Sequence, residues 1–220
     1  MSTSSASWLM SGLLPAEVED YLYRMLPERD AVFRDMEVYA AERKVPIVGP
    51  AVGRLLFQFA TIAGAKRIFE MGSAIGYSTL WCALAVGKDG KVVYTDSNRQ
   101  NAARARESFQ RAGVLDRIEI KMGDALEILS EQKGEFDIIF NDVDKQQYPQ
   151  AFKLAQAKVR KGGLYVVDNV LWSGKVARPP EAGDGDTKAI LEHNRLLYEN
   201  KDFFPTIVPL RDGVAIAVKQ

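Results

Sequence analysis

The stretch "FDIIFNDVDKQQY", residues 136–148, opens as a buried strand and closes as a knot of charge. Phe136, Ile138, Ile139 and Phe140 supply the apolar run. Asn141, Asp142, Asp144 and Lys145 follow within residues 141–145. An apolar run that ends this abruptly in carboxylates, an amide and an ammonium asks for a function at its carboxyl end.

Working outward, the same kind of strand recurs on both sides. "KRIFEM" (66–71), "KVVYTD" (91–96), "RIEIKMGD" (117–124) and "GGLYVVDNV" (162–170) are short apolar runs. Between them lie helical segments: "GYSTLWCALAV" (76–86), "NRQNAARARESFQRAG" (98–113), "ALEILSEQ" (125–132) and "QQYPQAFKLAQAKV" (146–159), the last with Pro149 near its start. Strand–helix alternation of this kind means a parallel sheet covered on both faces. The end differs. After a helix over "TKAILEHNRLLYEN" (187–200) come "FPTIVPL" and "GVAIAVK" around "RDG", a hairpin signal, so the sheet is expected to finish with an antiparallel pair. Three helices are expected before the first strand, in "AEVEDYLYRML", "RDAVFRDMEVYAAER" and "AVGRLLFQFATIAG". The fold class is therefore α/β, a seven-stranded, mostly parallel, Rossmann-like sheet with a C-terminal antiparallel hairpin and extra N-terminal helices. One domain is expected over residues 1–220, with helices in 1–64 and the sheet core in 65–220. "ARPPEAGDGDT" (177–187) is the one long loop.

Composition narrows the chemistry. The 220 residues carry 29 Lys and Arg against 29 Asp and Glu, so net charge gives no reason to expect nucleic acid or an anionic membrane as partner. One cysteine (Cys82) excludes an intrachain disulfide and a cysteine zinc cluster, and there is one histidine (His193). A metal site must then rely on oxygen ligands. The opening "MSTSSASWLMSGLLPAEVEDYLY" does not read as a signal peptide, and no apolar run reaches the ~20 residues of a membrane span, so a cytoplasmic location is expected.

Ligands of an open parallel sheet bind outside the carboxyl ends of its strands, where the strand order reverses. Those ends read Glu70-Met71-Gly72, Asp96, Gly123-Asp124-Ala125, Asn141-Asp142 and Asp168-Asn169. Asp and Asn favour turns and caps anyway, but five acidic or amide strand ends together exceed that explanation. In "EMGSAIGYS" (70–78), Gly72 and Gly76 permit a tight turn and close approach of a ligand to backbone. The dinucleotide fingerprint G-x-G-x-x-G is absent, which disfavours an NAD-dependent oxidoreductase. Asp96 is placed to accept hydrogen bonds from ribose hydroxyls, and Asp124-Ala125 lies in range of an adenine. The pattern indicates a nucleoside ligand without a pyrophosphate.

"EMGSAIGYSTL" (70–80), "FDIIFNDVDKQQYP" (136–149) and "GGLYVVDNVLWSGKV" (162–176), in this order, resemble the cation-dependent O-methyltransferases, the group of catechol and caffeoyl-coenzyme A O-methyltransferases and bacterial relatives. The resemblance runs from about Val45 to the end. It implies S-adenosylmethionine as methyl donor, with Val48, Glu70, Gly72, Ser73 and Ser78 around its methionine part, Asp96 on the ribose, Ala125 by the adenine and Asp144 completing the pocket. It implies Asp142, Asp168 and Asn169 as metal ligands, Lys145 as the base, and Trp172 and Ser173 near the substrate. It also suggests a homodimer, with the N-terminal helices at the interface or over the pocket.

The metal set makes physical sense in its own right. Asp142 and Asp168 end successive strands, which lie roughly 4.8 Å apart when paired, so two carboxylates and an amide oxygen can converge. All-oxygen ligation selects Mg²⁺, with Mn²⁺ and Ca²⁺ as alternatives. The activity implied is methyl transfer to one hydroxyl of a catechol-type phenolic small molecule. The alternative is a tRNA hydroxyuridine O-methyltransferase of the same family, which neutral charge disfavours. The sequence departs from the family in "PIVGPAVGRLL" (46–56), where Met and an acidic-Gly-Gln run are usual, and at Ile75, where Thr is common. It departs also at Asn141, where an apolar residue is expected.

Overall fold

The computed structural model describes residues 13–220. The opening segment, read above as lacking a signal peptide, lies largely outside the described residues. Seven strands form one sheet: β1 (Arg67–Met71), β2 (Lys91–Asp96), β3 (Ile118–Met122), β4 (Phe136–Asn141), β5 (Val159–Val167), β6 (Phe203–Val208) and β7 (Val214–Lys219). The order is β3-β2-β1-β4-β5-β7-β6. The first five strands pair in parallel, and β7 is antiparallel to both its neighbours, β5 and β6. Strand order reverses between β1 and β4, so the crevice is expected above Met71 and Asn141, which pair in register.

Among the described residues the helices are α1 (Ala16–Arg24), α2 (Ala31–Arg43), α3 (Gly49–Ile62), α4 (Tyr77–Ala85), α5 (Arg99–Arg111), α6 (Ala125–Glu131), α7 (Tyr148–Ala155) and α8 (Gly185–Glu199). None of them is long and apolar enough to cross a membrane. Side chains alternate in period two between the sheet's faces. Ile68, Val92, Tyr94, Ile138, Phe140, Leu164 and Val166 pack with Leu56, Leu80 and Phe109 of α3, α4 and α5. Phe69, Met71, Val93, Ile139, Tyr165 and Val167 pack with Leu129, Phe152 and Leu197 of α6, α7 and α8. Two covered faces explain why the central strands are apolar along their whole length.

Several boundaries differ from the sequence expectation, chiefly around α7, β5 and α8. The helix expected over 146–159 is a short 3₁₀ turn (Lys145–Gln147) followed by α7, which ends at Ala155. Val159 instead pairs with Phe136 as the first residue of β5. The strand passes a register shift before Leu164 meets Ile138. That irregularity uses Gly162 at φ 72°, a conformation glycine adopts without strain. α8 begins two residues before the expected Thr187 because Asp184 caps it, accepting from the Thr187 N–H at 3.0 Å. The long loop is shortened accordingly, and residues 172–177 form 3₁₀ turns.

Candidate functional site

The strand ends on either side of the order reversal line a cleft of about 1090 Å³. Of the residues expected there, Gly72, Asp96, Ala125, Asp142, Asp144, Lys145, Asn169 and Trp172 line it. Val48, Ser73 and Ser78 line a small crevice that shares Gly72 and Asp142 with the cleft. Glu70 and Asp168 lie behind the lining, both fully buried. Ser173 does not line the cleft; its backbone N–H donates to Asp212 Oδ1.

The floor at β1 is set by packing. Gly72 stands at φ 81°, and a Cβ there would meet the Asp142 carbonyl oxygen at 2.5 Å. Only glycine lets the ends of β1 and β4 approach so closely. Behind it, the Glu70 carboxylate accepts hydrogen bonds from the Ser78 and Thr79 hydroxyls at the start of α4. Glu70 thereby orients the helix turn that carries Ser78, and its own oxygens face inward. Burial raises its pKa from 4.5 to about 7, against the lowering effect of those hydroxyls. At β2, Asp96 Oδ1 accepts from the Asn98 N–H at 2.6 Å, which fixes the carboxylate at the cleft wall. Asp124 caps α6 through the Leu126 and Glu127 N–H groups, placing Ala125 at the rim.

On the β4–β5 side the polar groups converge. Lys145 Nζ donates to Asp142 Oδ1 at 3.0 Å, Asn169 Oδ1 at 2.8 Å and Tyr148 Oη at 2.8 Å. It also lies 5.7 Å from the centre of the Trp172 ring. Tyr148 in turn donates to the Asp168 carbonyl at 2.8 Å. Asp168 Oδ2 accepts from Arg211 Nη1 at 2.8 Å. The Asn169 backbone N–H lies near that carboxylate, yet Oδ1 is buried and completes no hydrogen bond. Burial raises the Asp168 pKa, with Arg211 opposing and Asp142 reinforcing the shift. Among the described residues no three His, Cys, Asp or Glu side chains converge; the donor set here is two carboxylates and one amide. Such a set, with a buried carboxylate oxygen lacking a partner, suits a hard dication.

Asn141, an apolar position in the family pattern, is answered by a residue far along the chain. Its Nδ2 donates to Tyr165 Oη at 3.1 Å, and Oδ1 lies 3.5 Å from the Val143 N–H. Tyr165 Oη lies 3.4 Å from His193 Nε2, and His193 Nδ1 lies 3.0 Å from Asn194 Oδ1. A buried polar chain thus runs beneath Asp142. No sequence pattern signals it, because its members are scattered over β4, β5 and α8. Arg211 and Tyr148 were also missed. Arg211 reads as a turn residue, and Tyr148 as the start of a helix.

Burial lowers the His193 pKa from 6.5 to about 4, only partly offset by Asn194. The unfolded chain therefore takes up this proton near pH 6.5, and the folded protein only near 4. His193 contributes stability that is complete above about pH 6.5 and declines as pH falls to about 4, by about 3 kcal/mol. Glu70 acts with opposite sign. Its raised pKa means that stability is complete below about 4.5 and declines as pH rises to about 7. The two slopes oppose each other in one window. His193→Gln should unmask the Glu70 slope, so that urea unfolding gives a variant relatively more stable at pH 4.5 than at pH 7, compared with wild type. An unchanged pH profile in the variant would refute the assignment.

Residues 31–220 match the profile of the O-methyltransferase family. A catechol O-methyltransferase from Niastella koreensis is 31% identical over 220 residues, covering 95% of this chain and 99% of that protein. A caffeoyl-CoA O-methyltransferase from Eucalyptus gunnii is 32% identical over 215 residues, covering 90% and 86%. The crystal structure of an O-methyltransferase from Bacillus cereus in complex with SAH superposes with a TM-score of 0.84. It is 29% identical, with 93% of this chain and 97% of that one covered.

Proposed function

From the premise that the chain belongs to the O-methyltransferase family, with its class I methyltransferase fold and S-adenosylmethionine-dependent activity, we propose that its methyl acceptor is a catechol-type phenolic small molecule. We propose further that Asp142, Asp168 and Asn169 hold a divalent cation beside it. The observation that carries this reading is the convergence of Lys145 Nζ with the Asp142 and Asn169 oxygens at the cleft wall, above the buried Asp168.

In this reading Asp96 holds the ribose of the donor, and Ala125 lies against the adenine. Gly72, Ser73, Ser78 and Val48 surround the methionine part, with Glu70 fixing Ser78 from behind. Asp144, on the loop after β4, closes the donor side. A phenol has a pKa of about 10 and is a weak nucleophile near neutrality. A bound dication supplies Lewis acidity that favours the ionised form of adjacent hydroxyls. As the ammonium held by Asp142, Asn169 and Tyr148, Lys145 balances the phenolate; to take the acceptor's proton it must first release one of its own and act as the neutral amine. The phenolate oxygen then forms a bond to the donor's methyl carbon as the carbon–sulfur bond breaks, leaving its electron pair on sulfur. Trp172 forms the acceptor wall. Holding both reactants in line supplies much of the rate. The homodimer suggested by the resemblance and the cytoplasmic location expected from the sequence belong to the same proposal.

The test is transfer of labelled methyl from S-adenosylmethionine to a panel of catechols and monophenols with Mg²⁺, in parallel with bulk tRNA. Catechols should be methylated, monophenols and tRNA should not, and EDTA should stop the reaction. Label appearing in tRNA alone would replace the small-molecule reading with the RNA one.

A further inference from the structure

The cluster of Asp142, Asp168 and Asn169 already contains its own cations. Lys145 meets two of the oxygens, and Arg211 meets the third residue, Asp168. Two carboxylates therefore face an ammonium and a guanidinium before any ion enters, with the Asp212 carboxylate within electrostatic reach of both cations. Arg211 differs from Lys145 in being held by the frame. It lies at the centre of the β6–β7 turn, and that turn is fastened to the segment after β5. The Leu171 N–H donates to the Asp212 carbonyl at 2.9 Å and the Val170 N–H to the Gly213 carbonyl at 3.1 Å. Arg211 itself stands at φ 52°, a left-handed conformation that costs a non-glycine residue energy. Its side chain is 13% exposed and that of Asp168 is 0% exposed. Tyr23 of α1 lies within electrostatic reach of both Arg211 and Asp168. The guanidinium is thus a confined charge that binds Asp168 Oδ2 and leaves Oδ1 without a hydrogen bond.

We propose that Arg211 is a built-in counter-ion of the oxygen cluster, which stabilises the metal-free cluster and weakens its affinity for the divalent cation by electrostatic competition. The inference rests on the reading of Asp142, Asp168 and Asn169 as metal ligands. A cation a few ångströms from a dication in a poorly solvated pocket raises the free energy of the loaded state. In the empty state the same charge offsets the burial of Asp168. Both are compatible with the hydrogen bonding, because Arg211 takes one carboxylate oxygen and the other, though buried, has no hydrogen-bond partner. The effect is on affinity rather than on whether binding occurs.

Mn²⁺ binding to the full chain, followed by the electron paramagnetic resonance signal of the free ion, tests this without any turnover. Arg211→Gln removes the charge and leaves a shorter, neutral polar side chain; Arg211→Lys keeps the charge. The Gln variant should bind Mn²⁺ at least about tenfold more tightly than wild type. The Lys variant should stay within about threefold, and Asp168→Asn should lose the saturable site. Thermal melts add a second readout. The Gln variant should melt lower than wild type without Mn²⁺ and gain more on its addition, since binding to the folded state alone stabilises by mass action. Equal affinities in wild type and Arg211→Gln, with loss in Asp168→Asn, would overturn the role of Arg211 and leave the metal reading standing. No saturable site in wild type or either Arg211 variant, or a site that persists in Asp168→Asn, would overturn the metal reading and this inference together.

Discussion

Asp142→Ala should lower kcat/KM for a catechol by on the order of 10³-fold, the several kcal/mol that Lewis-acid stabilisation is worth. The substitution removes a carboxylate at the mouth of the cleft and frees Lys145 from one of its partners. Asp142 is the better target than Asp168, whose loss would leave Arg211 confined without its carboxylate partner and cost about 3–5 kcal/mol of stability. The Asp142 side chain is 25% exposed, so its removal spares the core. Binding of S-adenosylmethionine, measured by calorimetry without acceptor, should change little, because Asp96, Ala125 and Ser78 are untouched. Loss of turnover with donor binding retained would place the defect on the acceptor side. Turnover within about threefold of wild type would remove Asp142 from the mechanism.

The second large effect is expected at Lys145. Replacing it by Met should reduce kcat by about 10²–10⁴-fold, the range for a positioned proton acceptor, with a smaller change in KM for either substrate. The side chain is 13% exposed and bonded to three side chains from β4's loop, α7 and the segment after β5. Those contacts hold one geometry, so the loss should appear in chemistry rather than in binding. Raising pH should partly restore the Lys145→Met rate as more of the acceptor ionises in solution. A variant whose rate is reduced equally at all pH values would point to a purely structural lysine. Lys145→Arg should recover little, since a guanidinium keeps its proton throughout.

Much of the site was legible because strand ends announce themselves. Each central strand is apolar until its last residues, and the turn chemistry that follows is acidic, so Asp96, Asp142 and Asp168 could be placed on one edge before any coordinates. Glycine at 72 was legible for a similar reason: a tight turn after a buried strand has few alternatives. What escaped depended on contacts between distant residues. Val159 looked helical because α7 and β5 are separated by only three residues, and the deciding fact is its pairing with Phe136. Asn141 looked anomalous because Tyr165 lies 24 residues away. Arg211 looked like hairpin punctuation, and its reach to Asp168 spans 43 residues. Glu70 was read as a donor contact, whereas its oxygens turn toward α4, a distinction that strand periodicity cannot make.

The place of β7 has a consequence for how the protein comes into being. This strand is the last of the seven to be synthesised, yet it lies in the sheet's interior, between β5 and β6. A nascent chain that stops short of Val214 leaves β5 with an open edge, a template for pairing with other chains. It also lacks the hydrogen bonds that fasten the 170–171 segment to the β6–β7 turn. In the proposed reading the donor side is built from β1 to β4, which are synthesised before β7. In the same reading the acceptor side waits for the final strand, so the nucleoside pocket is expected to exist before the wall that completes the enzyme.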